Sequence, residues 1–195
     1  MLVGTYMTWE FLLIAMLAYL LGSIPSGKLI AGLYGVDIQK KGSGNIGFAN
    51  VLRVLGWKRA VVVLLVDIAK GFLPVVLAIS NLSAAQVEIV AVLVLAGNVW
   101  PVWLNFKGGK GIATGLGVTL ALSPVLAGLC ALVYLISVAI FKKSAPSSLL
   151  AAAAAPFFCL ITARQYVYFY ILAAVFAAWT HRANIRELLG FNHAA

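Results

Sequence analysis

Glycines, lysines and asparagines crowd into two short stretches of this sequence. The first runs Lys40-Lys41-Gly42-Ser43-Gly44-Asn45-Ile46-Gly47-Phe48-Ala49-Asn50-Val51-Leu52-Arg53. Alternating glycines let successive backbone N–H groups converge on an oxyanion, and the start of a helix adds a positive dipole. Ser43, Asn45 and Asn50 offer side-chain donors, and Arg53, one turn into a short helix, can fork onto a phosphate. A plain glycine-rich turn with basic anchors would require neither the asparagines nor the arginine. The second stretch, Asn105-Phe106-Lys107-Gly108-Gly109-Lys110-Gly111, interleaves glycines with two lysines at a helix start, a second anion cradle. Two cradles suggest two phosphate groups, or one phosphate and one leaving phosphate.

A third stretch, Gly22-Ser23-Ile24-Pro25-Ser26-Gly27-Lys28, matches G-x-x-x-x-G-K, but Leu29 stands where a nucleotide-binding loop needs Ser or Thr, and an apolar helix precedes it. It reads as a broken helix end with Lys28 reaching the interface. Asp67 and Lys70 lie inside an apolar run, where ionisable groups either pair or serve function. At i, i+3 they can neutralise each other, or Lys70 can face a substrate. Asn98 and Pro101 sit among Trp100 and Trp103, which suit interface anchors. Ser147 and Ser148 begin a helix they can cap. His181 and Asn184 follow the last apolar run one helical turn apart; proximity to the cradles would make the histidine catalytic rather than structural.

Missing patterns narrow the chemistry. No H-x-x-x-x-D is present, because Arg186 occupies the acid's place after His181. Asp37, Asp67 and Glu187 are too scattered for a two-metal site, no G-x-S-x-G occurs, and His193 lies in the tail. Metal-independent, cofactor-free transfer between anionic molecules remains.

The elements that must position these residues follow from composition. Of 195 residues, 64% are hydrophobic and 10% charged, against about 45–50% and about 25% in soluble domains. That excludes an ordinary globular enzyme, a disordered chain and a secreted disulfide scaffold, and predicts an all-α, polytopic membrane helical bundle forming one domain over 1–195. The net charge of +9, from 14 Lys and Arg against 5 Asp and Glu, points to anchoring beside the lipid bilayer and to an anionic substrate, not to nucleic acid. Cys130 and Cys159 lie in apolar runs without metal or redox spacing and read as small core residues.

Apolar runs span about 6–22 (weakly to 34), 58–79, 86–104, 111–141, 146–162 and 166–180. No Lys or Arg precedes Lys28 and no cleavage pattern follows the first run, so it is expected to stay as a span. The run from Gly111 to Phe141 would reach about 46 Å as one helix, too long for a hydrocarbon core of about 30 Å. Splitting it at Ser123-Pro124 gives about seven transmembrane spans, with a short fourth span starting from a loop that dips into the membrane. With the N-terminus outside and the C-terminus cytoplasmic, every basic cluster except Arg164 then falls on the cytoplasmic side.

Taken together, GSIPSGKLIAG (22–32), GSGNIGFANVLR (42–53), DIAKG (67–71), GNVWPVWLNFKGGKGIATGLG (97–117), SSL (147–149) and HRANI (181–185) resemble the acyl-phosphate:glycerol-3-phosphate acyltransferase family (PlsY) over nearly the whole chain. The resemblance implies a bacterial inner-membrane enzyme of seven spans with its active site on the cytoplasmic side. Its reaction would move a fatty acyl group from acyl phosphate to the sn-1 hydroxyl of glycerol 3-phosphate, giving lysophosphatidic acid and phosphate in phospholipid synthesis. Carried over by motif, Ser43, Asn45, Asn50 and Arg53 would bind phosphate groups. Lys70, Lys107, Gly108, Gly109 and Lys110 would surround the two anions, and Ser148, His181 and Asn184 would complete the catalytic set. An enzyme that makes acyl phosphate would be a partner. Ala49 stands where the family usually has Thr, Asn98 where many members have His, and the tail FNHAA lacks a usual acid.

Physically this fits: acyl phosphate carries a good leaving group, so positioning and charge stabilisation suffice. A rival from another class is an anion or phosphate-ester transporter, which would place its sites near the bilayer midplane within an inverted repeat. No clear repeat exists, and both cradles fall on one face. A structural membrane subunit would leave the glycine-lysine loops unexplained.

Overall fold

Residues 7–191 are described by the computed structural model; His193 and the rest of the tail beyond Phe191 lie outside the described residues. Every apolar run of the sequence is helical, and the helices end where the local chemistry demands. Thr8 caps α1 (Trp9–Gly22). Pro25 cannot continue that helix: it sits at the centre of a tight turn (φ −86°, ψ 68°) closed by the Ser26 N–H donating to the Ile24 carbonyl at 3.0 Å. The chain re-forms as α2 (Ser26–Gly32), bent 42° from α1. A single 3-10 turn at Ile38–Lys40 leads to α3 (Phe48–Leu55), then α4 (Trp57–Asn81). Ser83 and Gln86 form a reciprocal capping box at the start of α5 (Ala84–Val99).

The long run from Gly111 is indeed two helices, α6 (Ile112–Leu122) and α7 (Pro124–Phe141). Ser123 ends the one by turning extended, and its hydroxyl accepts the Leu126 N–H at 3.3 Å to begin the other, with Pro124 at the first helical position. There follow α8 (Ser144–Thr162), α9 (Val167–Thr180) and α10 (Arg182–Leu188), with no strand among the described residues. Among the described residues, four helical segments are long and apolar enough to cross a bilayer: α4, Ala84–Leu104, α7 and α8; the bent pair α1–α2 makes a fifth if it crosses as one. The sequence expects seven spans, which counts α6, of 11 residues, and α9, of 14; at about 1.5 Å per residue both are shorter than a hydrocarbon core.

The chain divides into two compact units, one up to Leu122 and one from Ser123. In the first, helices cross where paired glycines let backbones touch. A Cβ on Gly22 would collide with the Val94 carbonyl and one on Gly97 with the Tyr19 carbonyl, so α1 and α5 meet without intervening side chains; Gly71 and Gly117 do the same for α4 and α6. Beneath the first glycine loop, Ile38, Ile46 and Val51 are buried with Ala31, Ala60 and Val63 in an apolar cluster. These side chains anchor an otherwise polar segment. In the second unit α8 packs between α7 and α9. Only 17% of the α7 span is buried, and Leu132, Leu135, Ile136 and Ile140 point outward, a surface that lipid can cover and water cannot.

Candidate functional site

Asn50 organises the first loop. Its side chain is 2% exposed, and its Oδ1 accepts the Ser43 N–H at 2.8 Å. Its Nδ2 donates to the carbonyls of Asn45 (2.8 Å), Lys41 (3.0 Å) and Ile38 (3.3 Å). Asn45 Oδ1 accepts the Gly47 N–H at 2.8 Å. Both asparagines therefore use these groups on the loop's own backbone, and the chain can wrap around Asn50 because Gly42 and Gly44 adopt φ of +59° and +71°. Ser43 and Arg53, in the last turn of α3, are exposed. Among the described residues neither the Ser43 hydroxyl nor the Arg53 guanidinium has a hydrogen-bond or ion-pair partner, so both donors remain for a ligand.

The second loop is built differently. The Gly108 and Gly109 N–H groups donate to the Val99 and Asn98 carbonyls, at 3.0 and 2.9 Å. These satisfy the end of α5, where helical carbonyls lack intrahelical partners. Gly108 must be glycine because a Cβ would collide with the Asn98 carbonyl and the Pro101 ring. The reversal is made by two non-glycine residues in the left-handed region, Asn105 (φ 49°) and Phe106 (φ 60°), and the Phe106 N–H donates to Pro101 at 3.1 Å. Besides the exposed Asn105 and Phe106, this loop presents the exposed Lys107, the half-buried Lys110 and the first turn of α6.

The two loops are neighbours. Gln39, just before the first, donates from Nε2 to the Lys107 carbonyl at 3.3 Å and accepts Lys28 Nζ on Oε1 at 2.9 Å. Sequence reasoning passed over Gln39, since nothing in its spacing marks it. Lys70 lies away from the exposed loop surface: its side chain is 4% exposed, its Nζ pairs with Asp67 at 2.8 Å, and it donates to the Ile24 carbonyl at 2.9 Å. The Asp67–Lys70 ion pair is thus formed, with the Ile24 carbonyl as a second partner of the ammonium.

In the second unit, Ser147 is buried and donates to the Lys143 carbonyl at 2.8 Å, while Ser148 is buried beside it in the first turns of α8. His181, 2% exposed, joins α9 to α10, and its Nδ1 lies 2.8 Å from the Ala177 carbonyl. A carbonyl only accepts, so Nδ1 carries the hydrogen and the lone pair of the neutral ring falls on Nε2, the form a general base requires. Asn184 is half-buried one turn further on.

The family profile described as Glycerol-3-phosphate acyltransferase matches residues 12–190. The chain belongs to the glycerol-3-phosphate acyltransferase family. The glycerol-3-phosphate acyltransferase of Myxococcus xanthus is 48% identical over 180 residues, covering 90% of this chain and 94% of that protein. That of Desulforamulus reducens is 45% identical over 177 residues, covering 88% of each. Among solved structures, the glycerol 3-phosphate form of PlsY (YgiH), an integral membrane glycerol 3-phosphate acyltransferase, superposes with a TM-score of 0.89 at 36% identity, over 94% of both chains. Its lysophosphatidic acid form gives 0.87. With its apolar helices, the chain is a multi-pass membrane protein of this PlsY family.

Proposed function

We propose that the protein transfers a fatty acyl group from acyl phosphate to the sn-1 hydroxyl of glycerol 3-phosphate, giving lysophosphatidic acid and phosphate. The acceptor oxygen attacks the acyl carbonyl carbon, its proton passes to a base, the bond from that carbon to the phosphate oxygen breaks, and phosphate leaves. The observation that carries this reading is the pair of basic glycine loops joined through Gln39, with Ser43, Arg53 and Lys107 turned outward. Two anionic substrates need two adjacent sets of donors, and family membership gives those anions their chemistry.

Ser43, Arg53, Lys107 and Lys110 hold the two phosphates, with Asn45, Asn50, Gly108 and Gly109 shaping the loops that present them. Charge on the departing phosphate is stabilised by these cations, and holding donor and acceptor together supplies proximity. Ser148, His181 and Asn184 act on the acceptor, with His181 Nε2, or the acceptor's own phosphate, taking the hydroxyl proton. No metal or cofactor enters the reaction. The chain acts as one domain of seven spans in a bacterial inner membrane, N-terminus outside and the site facing the cytoplasm, where an acyl-phosphate-producing enzyme supplies the donor.

Purified protein in lipid, given palmitoyl phosphate and labelled glycerol 3-phosphate without added metal, should yield labelled lysophosphatidic acid. Product formed only with acyl-CoA or acyl carrier protein would remove acyl phosphate as the donor. His181→Ala should lower kcat by about a hundred-fold or more; activity near wild type would leave the acceptor's phosphate as the base.

A further inference from the structure

Three consecutive residues of α2 each hold a different part of the first unit. The Ser26 hydroxyl donates to Asp67 Oδ1, the carboxylate oxygen that also pairs with Lys70. Gly27 lies so close to the Ile46 carbonyl, in the first glycine loop, that a Cβ there would collide with it. Lys28 bonds Gln39, which bonds the Lys107 carbonyl of the second loop. The same α2 is tied down at its broken start, because Lys70 donates to Ile24, the last residue before Pro25. Asp67, Lys70 and Ser26 are 6%, 5% and 4% exposed. A buried carboxylate and ammonium within an apolar helix are tolerable only when paired and hydrogen-bonded, and each charge here has a second partner on the α1–α2 break.

We propose that Asp67 and Lys70 are positioning residues: with Ser26 and the Ile24 carbonyl they form a buried ionic latch that sets α2, and through Gly27 and Gln39 it sets both phosphate-binding loops. The proposal rests on the acyltransferase reading for its kinetic consequence. An anion approaching Lys70 would meet the Asp67 carboxylate beside it, so the ammonium serves the break in the helix. A ligand lysine and a latch lysine respond oppositely to their partner. Were Lys70 a substrate ligand, Asp67→Asn would remove a repulsive charge and lower KM for glycerol 3-phosphate. In a latch, Asp67→Asn leaves Lys70 buried and unpaired and damages the site as Lys70→Met does.

The test combines kinetics with hydrogen–deuterium exchange on the full-length protein in lipid. Asp67→Asn and Lys70→Met should each lower kcat by about ten-fold or more, and the double variant should be no worse than the poorer single within about three-fold. Exchange should quicken in peptides covering both 38–50 and 105–111, and stay unchanged in 144–162. Ser26→Ala strips one hydroxyl without stranding a charge, so it carries the same exchange test if the charge variants fail to fold. Loops that exchange at the wild-type rate in Ser26→Ala overturn the latch. So does a rise in KM confined to Lys70→Met with a fall in Asp67→Asn. A wild-type protein that makes no lysophosphatidic acid would overturn the acyltransferase reading instead, with the exchange result still deciding the latch.

Discussion

Loop 42–47 is held from within by the side chains of Asn50 and Asn45, whereas loop 105–111 is held from outside by the carbonyls of α5. In the first, Asn50 takes the place of a small core and the glycines supply backbone conformation around it, Gly42 and Gly44 with positive φ. In the second, Gly108 and Gly109 give up side chains so that the chain can lie against Asn98 and Pro101, and non-glycine residues make the turn. The same residue type thus answers two constraints, torsional freedom at Gly42, Gly44 and Gly111 and bare space against backbone at Gly108. The consequence is functional: both loops fasten their scaffold with asparagine side chains or glycine amides and leave Ser43, Arg53 and Lys107 facing outward.

On that contrast, removing the Asn50 side chain should do the most damage. Asn50→Ala strands the Ser43 amide and the Asn45 carbonyl and takes one of two donors from the Lys41 and Ile38 carbonyls, and should cost about 3 kcal/mol or more of stability, read as a large fall in Tm with loss of acyltransferase activity. A stable, active Asn50→Ala would mean that the loop is held by something else. The second loop should instead distinguish its two neighbouring glycines. Gly108→Ala meets backbone and a proline ring and should destabilise by about 2 kcal/mol. Gly109→Ala meets the Asn98 side-chain amide at 3.0 Å, which can swing away, and should cost below about 1 kcal/mol; equal Tm values would remove the distinction. Smallest in stability, and the sharpest check on what faces outward, are Arg53→Ala and Lys107→Ala. Each should raise KM for glycerol 3-phosphate or acyl phosphate by about ten- to hundred-fold while Tm stays within about a degree or two of wild type. A fall in Tm with unchanged KM would make them structural.

The helices and their breaks were legible in the sequence because their causes are local. Pro25 and Ser123-Pro124 interrupt apolar runs by steric exclusion and capping within a few residues, and 64% hydrophobic composition leaves no alternative to helices in lipid. The outward cations were legible as well, since glycine beside lysine or arginine has few other uses. What sequence could not divide was the role of each polar residue inside those motifs. Asn45 Oδ1 and the Asn50 amide are bonded to the loop's own backbone, and the Lys70 ammonium to the Ile24 carbonyl, partners that motif spacing does not show. Gln39 and Ser26 carry no signal, because their partners, Lys107 and Asp67, lie 68 and 41 residues away. Composition and short-range stereochemistry determined that this chain would be a membrane helix bundle presenting basic glycine loops. Only the tertiary structure decided that those loops adjoin and that one buried ion pair bonds to the helix break beside α2, which meets the first loop directly and the second through Gln39, since contacts between distant segments leave no periodic or spaced trace along the chain.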